Sequence, residues 1–141
     1  MRIINRSGHP THTVRQLVEY GLGQNLRGAP TIVVSRTGKN AGSGELVLVQ
    51  RRGPDQAARI RLRVGAPSQF PASNTTQRGL SPRSPRITLR NWREAIVAVA
   101  AHEAIHLRQL RRHHGAQPYA ESTADQYSAR RLAAYRRLHN A

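Results

Sequence analysis

The run Ala101-His102-Glu103-Ala104-Ile105-His106-Leu107 sets two imidazoles and a carboxylate at HExxH spacing inside an apolar stretch. On a helix of 3.6 residues per turn, His102 and His106 stand one turn apart on one face. Both rings then reach a single metal ion, and Glu103 lies beside them to carry a proton, which is the arrangement zinc peptidases use. The flanking residues predict the helix. Asn91 is a capping residue, and Glu94 three positions later completes a capping-box pattern. No Pro or Gly interrupts residues 92–114, and Gly115 follows as a stop. Ala95, Val99, His102, His106 and Leu110 recur at three- and four-residue steps, so the two His extend an apolar stripe. A polar group on such a stripe needs a partner once buried. A metal ion supplies one; a pair of His hydrogen-bonded in the core is the competing reading.

A catalytic zinc takes three protein ligands and keeps a fourth position for water. The segment Ala120-Glu121-Ser122-Thr123-Ala124-Asp125 opens a second helical stretch, expected over about 119–139. Glu121 and Asp125 are four apart and share a face. Glu121 is the candidate third ligand, and Asp125 the candidate acceptor for the free ring N–H of His102. The first helix overshoots His106 by about seven residues, or roughly 10 Å. Six or seven extended residues through Ala116-Gln117-Pro118 return the chain that far. The plainer account is that both acids favour a helix N-terminus.

HExxH followed by a helix carrying E-x-x-A-D resembles the gluzincin class of zinc metallopeptidases, above all its smallest members. Minigluzincins and the ImmA/IrrE-type peptidases, with their E-x-x-A-[ND]-x-[FY] helix, are the nearest patterns. The matching run here is Glu121-Ser122-Thr123-Ala124-Asp125-Gln126-Tyr127. SprT-like proteases share the size and basic character, but their third ligand is typically His, so that resemblance is more distant. The similarity covers about 30 residues, 101–129. It implies a zincin-like fold in which a helix and a small twisted sheet precede the active-site helix, with an edge strand binding substrate in extended form.

The upstream sequence supplies such parts and predicts an α+β fold. Residues 13–26 read as an amphipathic helix, with Val14, Leu17, Val18 and Leu22 on one side and Gly28 as a stop. Thr31-Ile32-Val33-Val34 and Glu45-Leu46-Val47-Leu48-Val49 read as strands, with residues 37–44 as a hairpin loop between them. Ala58-Arg59-Ile60-Arg61-Leu62-Arg63-Val64 alternates strictly, so one face is apolar and the other carries three Arg. Residues 1–5 add a short strand, making a sheet of three or four strands ahead of the helices at about 91–114 and 119–139. Residues 65–86, with four Pro and many Ser, Asn, Thr and Gln, show no period and read as a long loop, either a wall of the cleft or a plain surface connection. They lead into Arg86-Ile87-Thr88-Leu89-Arg90, where the resemblance puts the substrate-binding edge strand.

With one Zn2+ per chain bound by His102, His106 and Glu121, the bound water has a pKa near about 7 and the scissile carbonyl is polarised. Glu103 then acts as general base and hands the proton to the leaving amine. Tyr119, Tyr127 and His113 are all placed to assist the oxyanion, and the spacing does not choose among them. His9, His12, His114 and His139 read as surface residues.

At 141 residues, 1–141 form one domain with a modest core. There is no cysteine, which excludes a disulfide framework and thiolate chemistry. Met1-Arg2-Ile3-Ile4-Asn5-Arg6 lacks a signal-peptide core, and no apolar run reaches membrane-spanning length, so a cytoplasmic location or one inside a nucleoprotein particle is expected. The net charge is +16, from 23 basic and seven acidic residues, and only Lys39 among the bases is not Arg. Three of the seven acids belong to the proposed site, which leaves the outer surface positive. Such a surface attracts nucleic acid or acidic protein in a salt-dependent way, and the few aromatics favour backbone contact over base stacking. Two functions follow: a zinc-dependent endopeptidase, or a basic nucleic-acid-associated or particle-structural protein keeping a peptidase-like fold without turnover. Glu103 favours the enzyme, because a purely structural zinc has no use for a general base.

Overall fold

Period-two segments form the strands and period-3.6 segments the helices of the computed structural model, which describes residues 1–23, 31–49, 57–73, 85–113 and 121–139. In order these are β1 (Ile3–Asn5), α1 (Thr11–Leu22), β2 (Thr31–Thr37), β3 (Gly42–Val49), β4 (Ala57–Gly65), a 3-10 turn (Pro67–Gln69), β5 (Ala72–Ser73), β6 (Thr88–Leu89), α2 (Trp92–His113) and α3 (Glu121–His139). The class is α+β, with three α-helices and a small mixed sheet among the described residues.

The sheet has the order β1-β2-β4-β3, with β1, β2 and β4 parallel and β3 antiparallel to β4. The expected hairpin between β2 and β3 does not form, because β4 lies between them. Burial explains the choice. The inward positions of β4 are Ile60, Leu62 and Val64, each at most 1% exposed, whereas those of β3 are Gly42, Gly44 and Leu46. The strand with the most apolar surface takes the centre, and the one with the least takes the edge. The 38–41 connection steps over the end of β4, where the Gly65 N–H donates to the Ala41 carbonyl at 2.8 Å. A Cβ on Gly65 would lie 2.5 Å from the Asn40 carbonyl oxygen, so only glycine fits beneath this crossing.

Helices α1 and α2 cover one face of the sheet and close a core that includes Val14, Val18, Ile32, Val34, Ile96 and Leu107. α1 ends at Leu22, earlier than expected, because Gly23 turns to positive φ (57°). Asn91 caps α2 as the sequence predicts, accepting from the Glu94 N–H at 3.0 Å. The reciprocal half differs: the Glu94 carboxylate accepts from the Arg90 N–H (2.9 Å).

The long connection after β4 is partly structured. It contains the 3-10 turn and β5, and β5 pairs antiparallel with β6 through Ala72↔Leu89 and Ser73↔Thr88. Residues 74–84 lie outside the described residues. The strand before α2 therefore belongs to a separate two-stranded sheet, and the edge strand packed against α2 is β3. Two residues of β6 are too few to compete with the nine of β4 for a place in the main sheet.

Candidate metal centre

α2 carries His102, Glu103 and His106 close together, with Glu103 against β3 and His102 against α3. Their potential ligand atoms all lie within 4.8 Å of one another. Glu103 and His106 are buried (4% and 5% exposed), and His102 is half-buried. The two rings meet edge to face, with Nε2 of His102 and Nε2 of His106 3.0 Å apart.

At His102 the outer nitrogen fixes what the inner one can do. His102 Nδ1 lies 2.8 Å from Asp125 Oδ1, and His106 Nδ1 lies 3.3 Å from Gln109 Oε1. The Asp125 carboxylate oxygen only accepts, so His102 Nδ1 carries a proton and donates to it, which leaves His102 Nε2 free to accept or to ligate. The His106 ring takes either role toward Gln109, whose amide both donates and accepts. In tetrahedral zinc geometry, with Zn–N of 2.0–2.1 Å, two bound nitrogens stand about 3.3 Å apart. The observed separation is a few tenths of an ångström shorter than that, and it is also the length of a direct ring–ring hydrogen bond.

Asp125 is positioned from α3, which is anchored along α2. Ser128 Oγ donates to the Ala98 carbonyl at 2.7 Å, and Arg131 Nε to the Tyr20 carbonyl of α1 at 2.7 Å. Asp125 is itself 8% exposed. Glu121 opens α3 one helical turn before Asp125; its side chain lies outside the described part of the structure. The same holds for the side chain of His113 and for Tyr119, two of the oxyanion candidates. The third, Tyr127, is turned toward the end of α1, its hydroxyl 2.9 Å from the point a Cβ of Gly23 would occupy. His9, expected at the surface, is half-buried and stacked on Trp92, with ring centroids 3.6 Å apart. Burial and the nearby Arg36 and Arg93 hold its imidazole below the usual range.

Two contributors escape sequence reasoning. Gly44 of β3 faces α2 so closely that a Cβ there would lie 2.7 Å from Cγ of Glu103 and 2.7 Å from Cγ1 of Val99. The absent side chain makes the slot that Glu103 occupies. Nothing in the sequence links residues 44 and 103. Gln109 was legible in principle, since it stands three residues after His106 on the same helix face.

At the far end of α2 a second polar cluster holds the helix pair. The Glu94 carboxylate, 2% exposed, receives Arg136 Nε at 3.0 Å and its terminal nitrogen at 2.7 Å. The same guanidinium donates to the Thr88 carbonyl. Burial pushes the Glu94 carboxyl up, but the hydrogen bonds from Arg136 and the Arg90 N–H, with the charges of both arginines, outweigh it. The net position is below the ordinary value of 4.5.

No protein-family model, curated protein or solved structure matches the chain. No described helix is long and apolar enough to cross a membrane.

Proposed function

We propose that this chain is a zinc-dependent endopeptidase of the gluzincin type. One observation carries the reading: the two Nε2 atoms of the HExxH histidines converge at 3.0 Å beside Glu103, while His102 Nδ1 faces the Asp125 carboxylate at 2.8 Å. Metal-binding rings regularly have such an acceptor on the nitrogen that does not ligate. His102 and His106 would hold the ion, with Glu121 as the third ligand by resemblance and by its place one turn before Asp125. When bound, zinc supplies a Lewis acid and a water of lowered pKa.

The remaining work falls to the protein. Asp125 holds the His102 ring in the tautomer whose Nε2 faces inward, and Gln109 meets the His106 ring at its outer nitrogen. Glu103, buried against Gly44, is the base that takes a proton from water and delivers it to the amine nitrogen released when the peptide bond breaks. The edge strand β3 borders Glu103, and its outer backbone groups have no strand partner among the described residues. An extended peptide added there lies alongside the site, its main-chain groups matched to those of β3. The coarse order of helix, small sheet, motif helix and second helix supports the reading, with β3 in place of the 86–90 segment as the edge strand beside the site.

Metal analysis of protein purified without added metal tests the reading, with His102→Ala beside it. About one zinc per chain, lost in the variant, is expected. Wild type should then cleave an unstructured protein substrate, and Glu103→Gln should keep zinc while losing turnover by about a hundredfold or more. Failure to take up zinc on titration, or full activity in Glu103→Gln, would overturn it.

A further inference from the structure

The face of the sheet turned away from the helices carries a basic trough. The alternation that sends Ile60, Leu62 and Val64 into the core sends Arg59, Arg61 and Arg63 to the other side. These three form one wall. Val33 and Ser35 of β2 form a low floor, and Ile4 and Arg6 close the opposite wall around a volume of about 330 Å³. The register sets Arg59, Arg61 and Arg63 beside Thr31, Val33 and Ser35, so long side chains border short ones along the whole strand.

Successive arginines stand two residues apart, about 6.7 Å. That step is close to the spacing of neighbouring phosphates along an extended nucleic-acid strand. Among the described residues no carboxylate forms an ion pair with Arg6, Arg59, Arg61 or Arg63. Among the described residues the acid on this face is Glu45, which sits across from Arg61 on β3 and is exposed. Arg59 Nε is buried and has no hydrogen-bond acceptor among the described residues. A buried guanidinium donor calls for an anionic acceptor, and its planar fork matches phosphate oxygens.

We propose that this trough binds the phosphodiester backbone of single-stranded nucleic acid. Arginines on both walls meet a backbone lying between them, whereas a duplex offers each backbone from one side only, its other flank covered by base pairs. An acidic polypeptide in extended form points alternate carboxylates away from the floor, so half of its charge goes unused. Phosphates follow one line and engage every arginine. Among the described residues no aromatic side chain lines the trough, so binding is sequence-tolerant, with bases turned to solvent. The trough and Glu103 lie on opposite faces of the sheet, and the proposal stands independently of the peptidase reading.

Fluorescence anisotropy with a labelled oligothymidylate 20-mer tests it. The triple variant Arg59→Gln, Arg61→Gln, Arg63→Gln is compared with Arg86→Gln, Arg130→Gln, Arg137→Gln, which removes the same charge from exposed positions elsewhere. The trough variant should bind at least about tenfold more weakly, and its slope of log affinity against log salt should flatten by about 2, from three phosphate contacts at 0.7 each. The control triple should change little on both counts. If circular dichroism shows the trough triple unfolded, Arg61→Gln alone should flatten the slope by about 0.7. Equal losses in both triples would reduce the effect to diffuse charge and overturn the site. Equal affinity for a hairpin duplex, or equal competition by polyglutamate of matched charge, would overturn the choice of ligand.

Discussion

His102 and His106 meet through their Nε2 atoms at 3.0 Å, a separation that a direct hydrogen bond satisfies and that lies close to that of two nitrogens on one metal ion. Asp125 is the lever, because its carboxylate dictates which His102 nitrogen bears the proton. Asp125→Ala should therefore lower zinc affinity by about 10- to 100-fold, read by chelator competition, while leaving the ligands intact. An unchanged affinity would deny it an orienting role. Gly44 is the steric counterpart. Gly44→Ala forces a methyl into contact with Glu103 and Val99, and overpacking of this kind costs about 1–3 kcal/mol. The variant should melt lower; on the proposed reading it should also lose peptidase activity while retaining zinc, because that reading makes Glu103 the base and not a ligand. The pairing of His102 with Asp125 was expected from the need of a metal-bound imidazole for an acceptor, since helical spacing by itself relates only His102 to His106 and Glu121 to Asp125. The relation between Gly44 and Glu103 was not, since glycine carries no pattern and the contact spans 59 positions of chain.

At the scale of elements, α2 is the best-signalled part of the fold. Asn91, Glu94 and an uninterrupted apolar stripe all point to the same helix, and the structure forms it from Trp92 to His113. Strand order was hidden for a definite reason: two-residue alternation tells which face a side chain takes, not which strand lies next to it. The join between α2 and α3 was equally hidden, because Glu94 and Arg136 are 42 residues apart. Arg136→Ala leaves a nearly buried carboxylate without its counter-charge and should cost about 2–3 kcal/mol, less than a fully buried pair because Arg136 is a quarter exposed. Its pH dependence has a sign. The folded Glu94 is more acidic than the unfolded one, so its contribution is complete above the ordinary value of 4.5 and fades as pH falls below it. His9 is likewise depressed, and its contribution fades as pH falls below 6.5. The melting temperature should drop in two stages on acidification, and Arg136→Ala should remove the lower one while sparing the upper.

For the whole molecule, the sheet separates a helix-covered face, against which Glu103 packs, from an arginine face opposite it. Of the acids whose side chains are described, Glu94, Glu103 and Asp125 are buried, which leaves Glu19 and Glu45 against an arginine-rich exterior. Rising salt should release an oligonucleotide steeply and leave zinc in place, because the ion's partners are shielded and the trough is open. Parallel titrations of anisotropy and metal content at increasing sodium chloride would separate the two, and joint loss would mean that they are coupled. The position of β4 has a further effect, on how the chain comes to be folded at all. β1, β2 and β3 are made before the strand that belongs between the last two. Until residues 57–65 leave the ribosome, β2 has β1 along one edge and nothing native along the other, and β3 has no native neighbour at all. The sheet is thus completed by insertion and not by addition, so a chain interrupted before β4 exposes two unpaired strand edges, the kind of surface that aggregates.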